Sequence, residues 1–281
     1  MERTMVLVFP ILVVSCLLFS VTRTHAQPPS IANVVAFWIF SEPAGEDRVD
    51  ASPNHYRLRE DGGPIGLVED GIFTAYSAYL TPGKRFVLPR RETTFLNFRG
   101  KSDNKFTIVS WIKRMPYCGT PNYTNPFPCC EFIAGIFNES SNHRQYGMFL
   151  NLHSFNSSDQ VCGLVSDNGG DTPGYKGCVS GSFGRTKVPY NKWQCVAVSY
   201  NNNYVKSYLN GHLDRRGTLN PNYYPNGIFD PSSGGADFTV GGNDAFGEKH
   251  NYFHGLIGGL QIFNATLTEE QMSYVCGELP N

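Results

Sequence analysis

Short runs of apolar residues, each bounded by turn-forming residues, recur along most of the chain. The clearest runs are 34–40, 106–113, 132–137, 146–152, 193–200 and 204–209. They are rich in β-branched and aromatic residues, and glycine, proline, asparagine and serine fill the intervals between them. No amphipathic helix of ordinary length precedes residue 268. This pattern predicts an all-β protein of two antiparallel sheets, with one short helix at its C-terminal end.

The run 193–200 carries apolar residues on both faces, because the side chains of a strand alternate between the two sides of a sheet. One face holds Trp193, Cys195 and Ala197, and the other holds Val196, Val198 and Tyr200. A strand that is apolar on both faces suits the interior of a two-sheet sandwich better than its surface. Most aromatic residues are therefore expected in the core.

Two local motifs mark where elements turn and begin. Asn210-Gly211 lies between 208–209 and 212–213, and it predicts a two-residue hairpin because both central positions need a positive φ. Thr268 and Gln271 have the spacing of a capping box, in which each side chain bonds to the other residue's backbone N–H. We expect the C-terminal helix to begin after Thr268.

The N-terminal segment 1–26 has the organisation of a secretory signal peptide. A short charged head precedes an apolar run from Met5 to Val21, and small residues predict cleavage after Ala26. An uncleaved membrane anchor is one alternative, because the run is close to the length that spans a bilayer, and lipidation at Cys16 is another. No later segment is apolar enough to span a membrane. Residues 27–281 are expected to form one domain.

The chain is nearly neutral, with 23 Lys and Arg, 24 Asp and Glu, and a formal net charge of −1. Such a surface gives no electrostatic reason to expect nucleic acid or an anionic membrane as partner. Together with the signal peptide, it indicates a secreted protein of the extracellular space, the cell wall or the matrix.

Seven cysteines follow the signal segment, and in a secreted chain they predict disulfides before metal binding or catalysis. Short loop closures favour Cys162 with Cys178, and Cys118 with Cys129 or Cys130. Sequence alone does not fix the connectivity. The odd number leaves at least one thiol unpaired or shared between two chains in a disulfide-linked dimer.

Four Asn-x-Ser/Thr tripeptides predict glycosylation on surface loops, if the host glycosylates. They begin at Asn122, Asn138, Asn156 and Asn264. Because such tripeptides also arise by chance, we expect only some of them to be used.

Four groups of residues follow one another along the chain in a recognisable order. The first group is Phe37, Trp38, Phe40, Glu42, Gly45, Asp50, Ser52 and Asn54, and the second is Phe106, Thr107, Ile108, Ser110 and Trp111. The third is Lys192, Trp193, Val196, Ala197, Val198, Tyr200, Tyr208, Asn210 and Gly211, and the fourth is Gly255, Leu256, Ile257, Leu260, Ile262 and Phe263. Together they resemble laminin G-like and pentraxin-like domains of the concanavalin A-type lectin/glucanase superfamily. The resemblance implies a jelly-roll sandwich, a fold that hosts sugar binders, adhesion modules and enzymes.

The chain departs from this family at two positions. Gly258 stands where laminin G-like domains of this subgroup usually carry Asp, and pentraxins have a cysteine near Val109 where this chain has none.

The segment 241–247 resembles the pentraxin calcium loop, with Asn243 and Asp244 at ligand-type positions. The resemblance implies a bound calcium ion, for which Asp50 is a further candidate ligand. A calcium ion prefers about six to eight oxygens that include carboxylates, and few acids accompany this loop. The alternative is that Asn243 and Asp244 stabilise a glycine-rich turn through local hydrogen bonds.

Catalytic motifs are missing from the sequence, so an enzyme is the less favoured hypothesis. There is no Glu-x-Asp-x-Glu run, no GxSxG elbow and no HExxH. Jelly-roll polysaccharide lyases move protons with His, Tyr and Arg, and His143, Tyr146, Tyr252 and His254 supply such groups. The alternative is that the histidines are exposed polar residues on loops.

Three functions remain open. A binding module predicts a patch where Tyr or Trp meets amides and acids, with Tyr146, Asn243, Asp244, Tyr252 and His254 as candidate ligand-binding residues. An extracellular lyase or hydrolase acting on a glycan or small molecule predicts titratable groups that converge in one cleft. An adhesion or scaffold domain predicts an exposed apolar patch or a disulfide-linked dimer. The favoured function is a secreted carbohydrate or glycoconjugate binder, whose partner is an extracellular glycan or glycoprotein.

Overall fold

The computed structural model describes residues 33–102, 104–116, 130–172, 180–232 and 234–277. Within these ranges the chain forms two sheets, one α-helix and two short 3-10 helices. The strands are β1 (Val34–Trp38), β2 (Arg48–Val49), β3 (Arg57–Asp61), β4 (Gly66–Val68), β5 (Ser77–Leu80), β6 (Arg85–Leu88), β7 (Lys105–Arg114), β8 (Glu131–Asn138), β9 (His143–Leu150), β10 (Val161–Val165), β11 (Gly181–Phe183), β12 (Trp193–Asn201), β13 (Tyr204–Leu209), β14 (His212–Leu213), β15 (Asn222–Tyr223), β16 (Phe238–Val240), β17 (Asn243–Ala245), β18 (Glu248–His250) and β19 (Gly255–Phe263). The helix α1 is Glu269–Gly277, and the 3-10 helices are Arg90–Glu92 and Thr94–Leu96.

The two sheets have different strand orders. The first sheet runs β14-β13-β12-β7-β19-β5-β4, with β1 paired to β19 and β15 paired to β13. The second runs β11-β10-β9-β8-β16-β6-β3-β2, with β17 paired to β8 and β18 paired to β17. The pairings are antiparallel except for the contact of β17 with β8. The predicted all-β, two-sheet antiparallel sandwich with one C-terminal helix is confirmed.

The alternation predicted for the run 193–200 is observed in β12. Its side chains Val196, Val198 and Tyr200 lie in the large apolar cluster between the sheets. The side chains of Cys195 and Ala197 point to the outer face, where they pack with Met272 and Cys276 of α1 and with Trp111 of β7. The first sheet is therefore buried on both faces at its centre.

The two local motifs form as expected. Asn210 and Gly211 have φ angles of 50° and 82°, and Leu209 pairs with His212 across the turn. At the start of α1, the Gln271 N–H donates to Thr268 Oγ1 over 3.1 Å, and the Thr268 N–H donates to Gln271 Oε1 over 3.0 Å. The capping box thus satisfies backbone donors that the helix itself leaves without partners.

A disulfide that the sequence did not single out joins β12 to α1. Cys195 and Cys276 are 81 residues apart in sequence, and their Cα atoms are 5.5 Å apart. The bond fastens the helix to the outer face of the first sheet, within the apolar cluster that covers this face.

The predicted pairings of Cys162 with Cys178, and of Cys118 with Cys129 or Cys130, stay predictions. Cys118, Cys129 and Cys178 lie outside the described residues. The disulfide-linked dimer also stays a prediction.

One buried ion pair crosses between the sheets. Arg114 of β7 donates from Nε and Nη2 to the carboxylate of Glu131 on β8, over 2.9 and 2.8 Å. Its Nη1 donates to Asp159 Oδ1 and to the Val188 carbonyl, both over 3.1 Å, and its guanidinium lies 4.3 Å from the centre of the Tyr190 ring. Burial raises the pKa of Glu131, although the hydrogen bonds and charge of Arg114 oppose this shift.

Removing the Cys195–Cys276 disulfide is expected to lower the free energy of unfolding by about 4 kcal/mol, because the bond closes a long loop in the unfolded chain. Denaturant unfolding of the double variant C195A/C276A measures this loss. Each single variant should lose about as much as the double variant, since either one breaks the bond. Additive losses from the two single variants would contradict the pairing.

Glu131→Gln is expected to destabilise the protein by about 3 kcal/mol, because it leaves the buried Arg114 without its main counter-charge while Asp159 remains. The matched control is Asp47→Asn, since the Asp47–Arg57 pair is 4.0 Å long and its side chains are 39% and 59% exposed. This control should change stability by less than about 0.5 kcal/mol. Equal effects in denaturant unfolding would refute a structural role for the cross-sheet pair.

Candidate functional site

The residues selected from the sequence fall at separate places in the sandwich. Asn243 and Asp244 lie on β17, in the second sheet, and the segment 251–254 connects β18 of that sheet to β19 of the first sheet. Tyr252 and His254 therefore lie at the rim where the chain crosses between the sheets. We call the surface formed by Tyr79, Asp244, Tyr252 and His254 the edge site.

A row of alternating charges supports the edge site, and we call it the charge chain. Lys249 Nζ lies 2.6 Å from Asp61 Oδ1, Asp61 Oδ2 lies 2.9 Å from Arg85 Nε, and Arg85 Nη1 lies 3.0 Å from Asp244 Oδ1. Strand register brings these residues together, because Asp61 pairs with Arg85 across β3 and β6, and Asp244 pairs with Lys249 across β17 and β18. Burial alone would raise the pKa of Asp61, but the hydrogen bonds from Lys249 and Arg85 lower it.

Tyr252 lies half-buried beside this chain. Its ring packs over Gly242, where an added Cβ would come within 2.9 Å of a ring carbon. Within the described part of the chain, its hydroxyl makes no hydrogen bond. Burial raises the pKa of Tyr252, Arg85 lowers it, and the Asp61 and Asp244 carboxylates raise it. The phenol is therefore protonated at neutral pH, and it can both donate and accept a hydrogen bond.

His254 continues the edge site towards the first sheet. Its Nε2 shares a 3.0 Å hydrogen bond with the hydroxyl of Tyr79 on β5, and the two ring centres are 5.7 Å apart. Burial lowers the pKa of His254. A neutral imidazole joined to a phenol presents hydrogen-bonding groups without adding charge.

Asn243 does not face the surface, contrary to its prediction as a ligand-binding residue. It is buried, and its Nδ2 donates to Glu139 Oε1 over 3.0 Å while its Oδ1 accepts from Asn251 Nδ2 over 2.9 Å. Burial raises the pKa of Glu139. This network ties the β17–β18 hairpin to Glu139, 104 residues away in sequence, so the hydrogen bonds of Asn243 are not the local turn bonds of the alternative interpretation.

The predicted metal ligands do not form a calcium site. The Asp244 carboxylate is paired with the guanidinium of Arg85, and the buried Asp50 carboxylate accepts hydrogen bonds from the N–H groups of Phe37 and Ser52 and from Ser52 Oγ. Among the described residues, no group of three or more His, Cys, Asp and Glu could hold a metal ion. A calcium ion needs several free oxygens including carboxylates, so the residues of this hairpin do not fit one.

Tyr146 is a core residue, which overturns its prediction as a ligand-binding or catalytic group. Its side chain is fully buried, its hydroxyl donates to the Leu96 carbonyl over 2.6 Å, and its ring packs against Phe98 and Phe106. Burial raises its pKa well above the usual value. Its position on β9 faces the interior between the sheets, so the ring contributes to packing.

His143 lies apart from the other candidate catalytic residues. Its Nδ1 shares a 2.8 Å hydrogen bond with Ser141 Oγ, and its ring lies 6.1 Å from that of Phe229. No contact within the described ranges joins it to Tyr252 or His254. The structure thus does not assemble the His and Tyr set that a proton-transfer enzyme would need.

Titratable groups are also perturbed around Arg114, which pairs with Gly255 of β19 next to His254. Burial raises the pKa of Glu131 and of Tyr190 there. Every guanidinium nitrogen of Arg114 already donates to a protein group. This cluster therefore links the two sheets, and the guanidinium nitrogens of Arg114 are already bonded to protein groups.

The predicted glycosylation sites differ in exposure. Asn156 and Asn264 are exposed, whereas the side chain of Asn138 accepts a hydrogen bond from the Ser141 N–H over 3.1 Å. Asn122 lies outside the described residues. Glycosylation stays a prediction at all four. No helix in the described ranges is long and apolar enough to cross a membrane.

Solved structures of similar fold include several carbohydrate-related domains. Domain 4 of AbnA, an extracellular arabinanase of Geobacillus stearothermophilus in complex with arabinotriose, is 19% identical, with a TM-score of 0.57 and coverage of 87% of this chain and 98% of that one. The binding domain of botulinum neurotoxin DC in complex with SialylT is 13% identical, with a TM-score of 0.53 and coverage of 88% and 51%. A mutant Trypanosoma rangeli sialidase with trans-sialidase activity is 14% identical, with a TM-score of 0.52 and coverage of 86% and 32%. At these identities the likeness shows the fold.

No curated protein matches the chain. The family model of the concanavalin A-like lectin/glucanases superfamily matches residues 93–273, which is more than half of the chain. The match includes three of the four groups of residues on which the resemblance was based. The chain therefore belongs to the concanavalin A-like lectin/glucanase superfamily.

Proposed function

We propose that the chain is an extracellular glycan-binding module and that the edge site binds the sugar. The observation that carries the proposal is the half-buried Tyr252, whose ring lies beside the charge chain and whose hydroxyl has no hydrogen-bond partner among the described residues. Aromatic rings pack against the apolar faces of sugars, while fixed polar groups bond to their hydroxyls.

The charge chain suits binding because its geometry is already fixed. Asp61 bonds to both Lys249 and Arg85, and Arg85 also pairs with Asp244. Lys249 and Asp244 remain partly exposed, with side-chain exposures of 47% and 31%. Groups that are ordered before binding lose less conformational entropy when a ligand arrives.

The same arrangement favours binding over hydrolysis. A general acid must carry a proton near neutral pH, whereas the hydrogen bonds of Lys249 and Arg85 lower the pKa of Asp61. The Asp244 carboxylate is held by a guanidinium. Asp61 is therefore poorly suited to protonate a leaving group, and the ion pair with Arg85 orients Asp244 as a hydrogen-bond acceptor.

Two further observations support an extracellular glycan as partner. The signal-like segment 1–26 and the disulfide between Cys195 and Cys276 both fit an oxidising, extracellular compartment. The similar domains named above include one in complex with arabinotriose and one in complex with SialylT.

A glycan array that carries arabino-oligosaccharides and sialylated oligosaccharides tests the proposal. We expect Tyr252→Ala to weaken binding about tenfold, because it removes both the ring and its hydroxyl. Tyr252→Phe keeps the ring and should lose only part of the affinity. The matched control is Tyr274→Ala, which removes a 38% exposed tyrosine on α1. The proposal is wrong if the wild-type protein retains no glycan, or if Tyr252→Ala binds as tightly as the wild type.

Chelation of divalent cations is expected to leave glycan binding unchanged, because Arg85 already occupies the Asp244 carboxylate. The measurement compares retention on the same array with EDTA and with added calcium. A loss of binding in EDTA that calcium alone restores would show that a calcium ion takes part.

A further inference from the structure

A pair of exposed tyrosines lies at the other edge of the first sheet. Tyr204 of β13 and Tyr223 of β15 are cross-strand partners, 39% and 62% exposed, with ring centres 5.4 Å apart and an interplanar angle of 58°. No other two exposed aromatic side chains of the described ranges are in ring contact. Val205, which follows Tyr204, points into the interior, so the pair lies on the outer face.

A buried frame holds this pair in place. The Tyr200 hydroxyl lies within hydrogen-bonding distance of the carbonyls of Asn202 and Tyr224, at 3.1 and 3.0 Å, and it can donate its one hydrogen to either. Burial raises the pKa of Tyr200 to about 12. The Tyr224 N–H donates to the Asn203 carbonyl over 2.7 Å, and its hydroxyl donates to Asp167 Oδ1 over 2.8 Å. The strand ends that carry the exposed rings are therefore fixed on both sides of the pairing.

Asparagine residues lie close to the pair in sequence. Asn203 and Asn226 are exposed, and within the described part of the chain their side chains have no hydrogen-bond partner. The Asn201 Oδ1 accepts the N–H groups of Asn203 and Tyr204, over 3.2 and 2.8 Å. Exposed rings together with exposed amides are the side chains that pack on the apolar faces and bond to the hydroxyls of a saccharide.

A protein or membrane partner fits this surface less well. The pair exposes two rings. A stable protein interface buries more than about 1,000 Å², which is a larger area than two rings provide. Lys206 is the cation that follows Tyr204 on the same face, and one cation does not make a basic patch for anionic lipid. The exposed amides, together with Lys206 as the one charged side chain of β13, favour an uncharged sugar.

We propose that Tyr204 and Tyr223 form a second saccharide-binding platform, which takes an uncharged stretch of an oligosaccharide or polysaccharide chain. The proposal rests on the proposed function for its ligand class and does not depend on the edge site. Strands β12, β7 and β19 separate β13 from β5, which carries Tyr79 of the edge site. Four steps of about 4.8 Å separate the two strands across the sheet. Tyr204 lies level with Lys105 of β7 and Tyr79 lies level with Lys113, so the sites are also offset along the strands and lie roughly 30 Å apart.

The test is affinity electrophoresis in gels that contain arabinan, combined with titration of arabinotriose followed by calorimetry. Tyr223→Ala is expected to weaken retention about tenfold, and the arabinotriose stoichiometry should fall from two sites to one. Tyr223→Phe keeps the ring and should restore retention. Because Tyr223 is largely exposed, an unchanged thermal midpoint confirms that the variant is folded. Tyr274→Ala is again the matched control.

The variants separate the two proposals. Loss of retention in Tyr223→Ala together with residual binding in Tyr252→Ala supports the platform, even if the edge site proves inactive. Wild-type retention in Tyr223→Ala, with binding abolished in Tyr252→Ala, overturns the platform and leaves the edge site in place. Absence of arabinan and arabinotriose binding by the wild-type protein overturns this proposal, while the array decides whether the edge site binds another glycan.

Discussion

Burial of both faces of the first sheet is the constraint that determines where recognition can occur. The inner faces of β7, β12 and β19 pack against the second sheet, and their outer faces are covered by α1 and by an apolar cluster fastened by the Cys195–Cys276 disulfide. Most positions on these three strands are buried, and the exposed or half-buried ones lie mainly towards the strand ends. The candidate binding side chains therefore lie at the edges of the sheet. Tyr252 and His254 lie where the chain crosses to β19, and Tyr204 and Tyr223 lie on β13 and β15 at the opposite edge.

The charged residues serve order more than reactivity. Arg114 donates its hydrogen bonds to groups that link the two sheets, and the Glu139 carboxylate accepts from the side-chain amide that holds the β17–β18 hairpin. At the surface, Asp61 and Asp244 both pair with Arg85, which orients their carboxylates. A carboxylate held in this way is a good hydrogen-bond acceptor and a poor proton donor, so the electrostatics agree with a binding surface.

The sequence predicted the elements better than the site, for a physical reason. Period-two alternation and the Asn210-Gly211 turn are local, and both appear as expected. Asp61 and Lys249 are 188 residues apart in sequence, so their contact depends on which strands become neighbours. The prediction for Tyr146 was wrong because a tyrosine is a common ligand-binding residue, whereas its position on β9 directs its side chain into the core. Gly258, where the family usually carries Asp, lies under the Trp193 ring. A Cβ at this position would come within 3.0 Å of a ring carbon of Trp193. Trp193 Nε1 donates to Asp70.

The spacing of the two edges has a consequence for the kind of glycan that could use both. Because the first sheet is buried on both faces at its centre, the separation of roughly 30 Å between the edge site and the platform does not adjust to the ligand. A short oligosaccharide would then occupy only one site at a time. A long glycan that reaches both sites would bind more tightly overall, although the affinity of each site is unchanged. Two sites of low affinity held at a fixed distance would favour polymeric glycans over short oligosaccharides of the same sugar. This selectivity arises from the spacing of the sheet edges and needs no deep pocket.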